Sequence, residues 1–174
     1  IRLSLVGSEM CIRDSDNTAI GSAALTSNTT GASNTAVGRL AMDANTTGAS
    51  NVAVGKGALD ANTTASNNTA VGTASLGANT TGSNNVALGV GAMDSNTTGA
   101  SNVAVGANAL DANTTAAENT AVGTDAMTTN TTGASNAAFG TDTLKLNTTG
   151  ASNVALGAYS LDACLLYTSP SPRD

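Results

Sequence analysis

The residues with the most chemistry in them are asparagines. Asn28, Asn45, Asn62, Asn79, Asn96, Asn113, Asn130 and Asn147 are each followed by Thr-Thr, the acceptor tripeptide for N-linked glycosylation, in which the amide nitrogen takes the sugar. Asn67-Asn68-Thr69 adds a further match. The eight are glycosylation candidates, with N-linked glycans as the implied partners. The competing arrangement is an inward ladder, in which amides hydrogen-bond from one repeat to the next and no sugar can enter. A second column, Asn17, Asn34, Asn51, Asn68, Asn85, Asn102, Asn119, Asn136 and Asn153, faces the same choice. One column is expected to form the ladder, and Asn34, Asn51, Asn68, Asn85, Asn102 and Asn119 are its candidate members.

Other reactive types are sparse. The chain has no His and no Trp, 10% charged and 2% aromatic residues, and a net charge of −6. Without His, Ser-His hydrolysis, His-bound zinc and most acid–base catalysis near neutral pH are excluded. Six Lys and Arg spread over the chain are too few for phosphate-backbone binding, so no nucleic-acid partner is expected. Asp43, Asp60, Asp94, Asp111 and Asp162 recur at one position, replaced elsewhere by Thr26, Gly77, Thr128 and Lys145. Calcium-binding rolls use Gly-rich nonapeptides with fixed Asp offsets, which are missing, so neither metal nor cofactor is expected. Gly55-Lys56-Gly57 lacks the remaining spacing of a phosphate loop. The abundant Ser has no base, and no enzymatic activity is expected.

The elements that must hold these residues follow from their spacing. The unit Asn, Thr or Val, Ala, aliphatic, Gly recurs every seventeen residues from Asn17 to Asn153 without insertion. Seventeen residues are short for a two-helix repeat, and Gly, Thr and Asn weaken helices. Short alternating runs such as Val52-Ala53-Val54-Gly55, bounded by turn residues, read as strands. The fold class is all-β: a parallel β-solenoid with one coil per repeat. At about 4.8 Å per coil, nine coils make a rod roughly 40 Å long.

The ends depart from the period. Residues 1–15 and 164–174 share neither its spacing nor its composition, and CLLYTSPSPRD back-translates to a DNA whose opposite strand encodes Leu5 to Asp14. Both tails resemble translated sequencing-adapter DNA and are set apart as non-native, leaving 16–163 as the solenoid, an internal slice of a longer array. Cys11, Cys164, Pro170 and Pro172 all lie in the tails.

Two apolar columns are expected inside. The fourth position carries Ile20, Val37, Val54, Val71, Leu88, Val105, Val122, Phe139 and Leu156. The ninth carries Leu25, Met42, Leu59, Leu76, Met93, Leu110, Met127, Leu144 and Leu161. Val37, Val54, Val71, Val105, Val122, Leu59, Leu76 and Leu110 are the candidate core ladder. If the fourth position points inward, the Ala before it points outward, and a smooth Ala wall lets another chain approach closely. Two apolar side chains per coil do not offset the ordering of seventeen residues, so ladder hydrogen bonds, stacked amides and a neighbouring chain must contribute.

Val52-Ala53-Val54-Gly55 with Ala58, Val86-Ala87-Leu88-Gly89 with Ala92, and Val103-Ala104-Val105-Gly106 with Ala109 resemble the head repeats of trimeric autotransporter adhesins. The likeness covers residues 17–163. It implies a left-handed parallel β-roll, association as trimers, and a cell-surface role in binding matrix or other surfaces. The unit here is longer than that family's, because the Asn-Thr-Thr-Gly segment is additional. The expected function is therefore structural: a segment of an extracellular fibre or adhesin stalk that self-associates as a trimer or fibre, with no membrane span. The alternative is an ice-binding solenoid using Thr ladders. If Thr46 and Thr47 are extended they point to opposite faces, which leaves one outward Thr per coil.

Overall fold

In most units β-branched residues at the second and fourth positions favour extended backbone, and in every unit the Gly that follows ends it. The computed structural model, which describes residues 16–162, accordingly places one three-residue strand in every coil. These are β1 (Thr18–Ile20), β2 (Thr35–Val37), β3 (Val52–Val54), β4 (Thr69–Val71), β5 (Val86–Leu88), β6 (Val103–Val105), β7 (Thr120–Val122), β8 (Ala137–Phe139) and β9 (Val154–Leu156). They form one parallel sheet in sequence order, each residue paired with its equivalent seventeen residues on, as in Thr35↔Val52, Ala36↔Ala53 and Val37↔Val54. The fold is a parallel β-solenoid. The tails 1–15 and 164–174 set apart on sequence grounds lie outside the described residues.

Backbone hydrogen bonds continue from coil to coil outside the strands. On the Thr wall, Thr46 N–H donates to Thr63 O at 2.9 Å, and on the next side Met42 N–H donates to Ala58 O at 3.0 Å. The chain turns between these walls by residues at positive φ. The Gly of the fifth position sits near +136° to +145° in β2 to β7, a region closed to side chains. A Cβ at Gly55 would also lie 2.6 Å from the carbonyl carbon of Gly72, so this column is Gly for stacking as well as for the turn. The ninth-position Leu and Met are left-handed too, with φ from 50° to 55°. Such a conformation is unfavourable for a bulky residue. From Leu25 to Leu144, burial of the side chain and the coil-to-coil bond from its N–H offset that cost; Leu161, in the last coil, is exposed.

The inward set corrects one expectation. Ala36, Ala53, Ala70, Ala87, Ala104, Ala121 and Ala138 of the third position are fully buried, whereas Val37, Val54, Val105 and Val122 are half-buried and Val71 is 38% exposed. Strand alternation forces one choice or the other, and the narrow coil admits only a methyl on this wall. The opposite wall already fills the interior with Leu59, Leu76, Leu110 and their equivalents from Leu25 to Leu144, which are buried. The core is thus the third-position Ala, the eighth-position Ala and the ninth-position Leu or Met. In three coils a hydroxyl replaces the eighth-position Ala: Ser75 Oγ donates to Ala87 O at 2.9 Å and Thr143 Oγ1 to Gly157 O at 2.8 Å, while Ser160 Oγ, in the last coil, is buried without a partner.

Candidate functional site

Both asparagine columns lie inside the coil, and one carbonyl per coil joins them. Asn34 Nδ2 donates to Gly48 O at 2.8 Å, and Asn45 Nδ2 donates to the same oxygen at 3.1 Å. The arrangement recurs at Ala65 O, which accepts from Asn51 and Asn62, and at Gly99 O, which accepts from Asn85 and Asn96. Each first-position amide therefore ties the beginning of its coil to the end, closing the loop where no strand exists.

The columns also run along the rod, in different ways. In the first, the side-chain oxygen accepts from a backbone N–H: Asn51 N–H to Asn34 Oδ1, Asn68 N–H to Asn51 Oδ1 and Asn102 N–H to Asn85 Oδ1, all at 2.9 Å. Asn119 continues it, its N–H reaching Asn102 Oδ1 at 2.9 Å. In the second, amide meets amide: Asn45 Nδ2 to Asn28 Oδ1 at 2.9 Å, Asn62 Nδ2 to Asn45 Oδ1 at 2.7 Å and Asn113 Nδ2 to Asn96 Oδ1 at 2.8 Å. A buried amide with every donor and acceptor engaged stabilises the coil, where an unpaired one would destabilise it.

This geometry corrects the reading of Asn28, Asn45, Asn62, Asn79, Asn96, Asn113, Asn130 and Asn147 as glycan acceptors in the folded rod. All eight are buried, the least so Asn147 at 7% exposure, and Nδ2, the atom a sugar would need, donates to the carbonyl three residues on. Both columns are interior ladders rather than one.

The threonines after these asparagines divide the work. The first turns back along the wall, as where Thr46 Oγ1 donates to Thr63 O at 3.0 Å and Thr97 Oγ1 to Thr114 O at 3.0 Å. The second, from Thr30 to Thr149 once per coil, is exposed. One file of free hydroxyls results.

The outer face of the sheet is the larger surface feature. Second and fourth positions both point outward, giving two parallel files of Thr, Val, Ile, Leu and Phe with no charge along all nine strands. Ile20, Val71, Leu88, Phe139 and Leu156 are among the exposed large apolar residues. Nine strand spacings by two side-chain files amount to roughly 400 Å², the size of the largest single patch on a typical monomer. Sequence reasoning assigned the fourth-position file to the core. The missed signal was size: the buried third position holds Ala in every coil, while the outward fourth ranges from Val to Phe.

An acidic corner lies beyond that face. Burial holds the Asp60, Asp94 and Asp111 carboxyls above the ordinary carboxylate range; Asp43 adds to this at Asp60, and Asp94 and Asp125 at Asp111. Gly77 interrupts the column and leaves an open groove of about 440 Å³ bordered by Lys56, Asp60, Thr73 and Asp94. Lys145 pairs with Asp142 at 2.5 Å, and this hydrogen bond raises the ammonium pKa. Among the described residues no group of three or more His, Cys, Asp or Glu converges on a point, and no helix is long and apolar enough to cross a membrane. Compared with protein-family models, curated proteins and solved structures, the chain finds no match in any of the three.

Proposed function

We propose that this chain is a structural rod, a segment of an extracellular fibre or adhesin stalk, that works by self-association and has no catalytic step. The observation that carries this reading is the uncharged, largely apolar face running the length of a solenoid whose two interior asparagine columns are hydrogen-bonded from coil to coil. A rod with such a core and a continuous, largely apolar side gains stability by covering that side. The likeness to autotransporter head repeats supports a cell-surface setting and a trimer as one form of assembly, with matrix or other surface ligands bound by the assembled rod. Ladder bonds parallel to the rod axis suit it to bear load and to hold surface groups at constant spacing. Multi-angle light scattering over a concentration series tests the reading. Mass rising to a defined oligomer or to fibres is expected, and a constant monomer mass at the highest concentration would sink it.

The exposed Thr file favours a second reading, an ice-binding solenoid. It presents one hydroxyl per coil from Thr30 to Thr149. Inhibition of ice recrystallisation that is lost in Thr81→Tyr would support it; absence of inhibition in the unaltered protein would end it.

A further inference from the structure

The apolar face does not run uniformly from end to end, and its variation has a centre. The residue after each turn Gly, at the sixth position, lies at the edge of the face: Arg39 and Lys56 in the second and third coils, the 59% exposed Val90 in the fifth. At the neighbouring seventh position, Asp125 and Asp142 stand in the seventh and eighth coils. At these two positions basic groups thus lie on one side of Val90 and acidic groups on the other, at equal distances of two and three coils, while Asp43, Asp60 and Lys145 stand at the tenth position of the same coils.

From this arrangement we infer that the face takes a second copy of the same chain, antiparallel, with a two-fold axis through the fifth coil. The inference rests on the self-association proposed above and adds its partner, direction and register. A two-fold axis lying in the face along β5 reverses the rod and keeps the strand direction. The charged edge of one copy then lies beside the same edge of the other. Coil two meets coil eight, so Arg39 faces the partner's Asp142; coil three meets coil seven, so Lys56 faces the partner's Asp125. Val90 and Leu88 lie next to their own counterparts at the axis. Interfaces of this kind are self-complementary by symmetry.

Two further observations agree. Arg39 and Lys56 are exposed and form no ion pair among the described residues, where the one pair is Lys145 with Asp142. On the acidic side, Asn108 Nδ2 and Lys145 Nζ each engage only Oδ1 of Asp125 and Asp142, which leaves Oδ2 for a charge-assisted bond. Shape points the same way. Phe139, the largest residue of the face, lies in coil eight, and the antiparallel register sets it against Val37 of coil two. Parallel facing rods, related by a two-fold along the rod axis, would reverse the strand direction and carry the two charged edges to opposite sides of the interface, leaving Arg39, Lys56, Asp125 and Asp142 without partners there.

The test is a spin-label distance on the full chain, with Ser22→Cys as the single label site in a Cys11→Ser, Cys164→Ser background. Antiparallel pairing separates the two labels by eight coil spacings, about 38 Å, whereas parallel pairing brings them within about 20 Å. The second arm measures dimer dissociation for Arg39→Asp/Lys56→Asp, which is expected to weaken it at least tenfold. Adding Asp125→Lys/Asp142→Lys is expected to restore it. A short label distance, a trimer, or charge reversal without effect would overturn the antiparallel register while leaving self-association standing; a monomer at all concentrations would overturn both.

Discussion

Asn85→Ala and Asn96→Ala remove the same side chain from the same coil, yet the structure predicts that they expose different groups. Asn85 Oδ1 accepts the backbone N–H of Asn102 at 2.9 Å, and its Nδ2 donates to Gly99 O at 2.9 Å. Gly99 O keeps Asn96 as a donor at 3.0 Å, but the Asn102 N–H is left buried without an acceptor. Asn85 Oδ1 also accepts from Asn102 Nδ2 at 3.3 Å. Three lost hydrogen bonds at about 1 kcal/mol each, plus about 1–3 kcal/mol for the orphaned donor, give a destabilisation of about 4–6 kcal/mol. Asn96→Ala also loses three bonds but orphans no backbone group. Asn113 Nδ2 loses Asn96 Oδ1 but keeps Ala116 O at 3.1 Å, and Gly99 O keeps Asn85. The group left without a partner is a side-chain oxygen, Asn79 Oδ1, which accepted from Asn96 Nδ2 at 2.9 Å, and the same sum gives about 4–6 kcal/mol. Denaturant unfolding measures both costs, and native-state hydrogen exchange separates the variants, since the Asn102 amide should lose protection in Asn85→Ala alone. A fully protected Asn102 amide in Asn85→Ala, or the same loss of protection in Asn96→Ala, would refute the claim that the first column closes the coil through the backbone.

Further outcomes follow from the same contacts. Gly55→Ala should destabilise by at least about 2 kcal/mol in thermal unfolding because of its φ of 140°, whereas Gly48→Ala should cost less: both glycines face the next coil's carbonyl, but Ala65 and Ala116 already occupy the position equivalent to Gly48. Ala70→Leu on the inward wall should cost about 1–3 kcal/mol by overpacking, while Val71→Thr on the outer wall should leave monomer stability within about 0.5 kcal/mol, as read by urea midpoints. Asp60, Asp94 and Asp111 have folded pKa values above their unfolded ones, so the protonated form favours folding and stability falls as pH rises through the raised values. Tm measured by calorimetry should therefore climb as pH drops from neutral into the carboxylate range, and Asp94→Asn should flatten the climb; a falling Tm would contradict it. Incubated with an oligosaccharyltransferase, the folded rod should keep its intact mass and the unfolded chain should gain glycans, because Nδ2 of the Asn45 column is reachable only after unfolding.

The period and the parallel stack were legible because Asn17 and its eight equivalents recur without insertion, and a strict repeat of that length leaves one way to pair equivalents. Which wall faced inward was not. Hydrophobicity favoured Val37 and Val54 over Ala36 and Ala53, but the narrow interior selects on volume, and the unvarying Ala file was the sign of it. The left-handed Leu59 and Met93 had no local signal, since neither residue favours that conformation and only tertiary packing imposes it. For the asparagines, residue type alone could not separate a surface acceptor from a buried crosslink. The carbonyls of Gly48 and Gly99, each accepting from two amides, decide it.

The account stands most directly on the outward, self-associating sheet face, which Val71→Asp/Val105→Asp interrogates in one sample. Light scattering and circular dichroism together should show the unaltered chain associating with concentration, and the double variant folded but monomeric. Loss of the β signal in the variant would return these side chains to the core, and an unaltered chain that never associates would remove the basis for a load-bearing assembly.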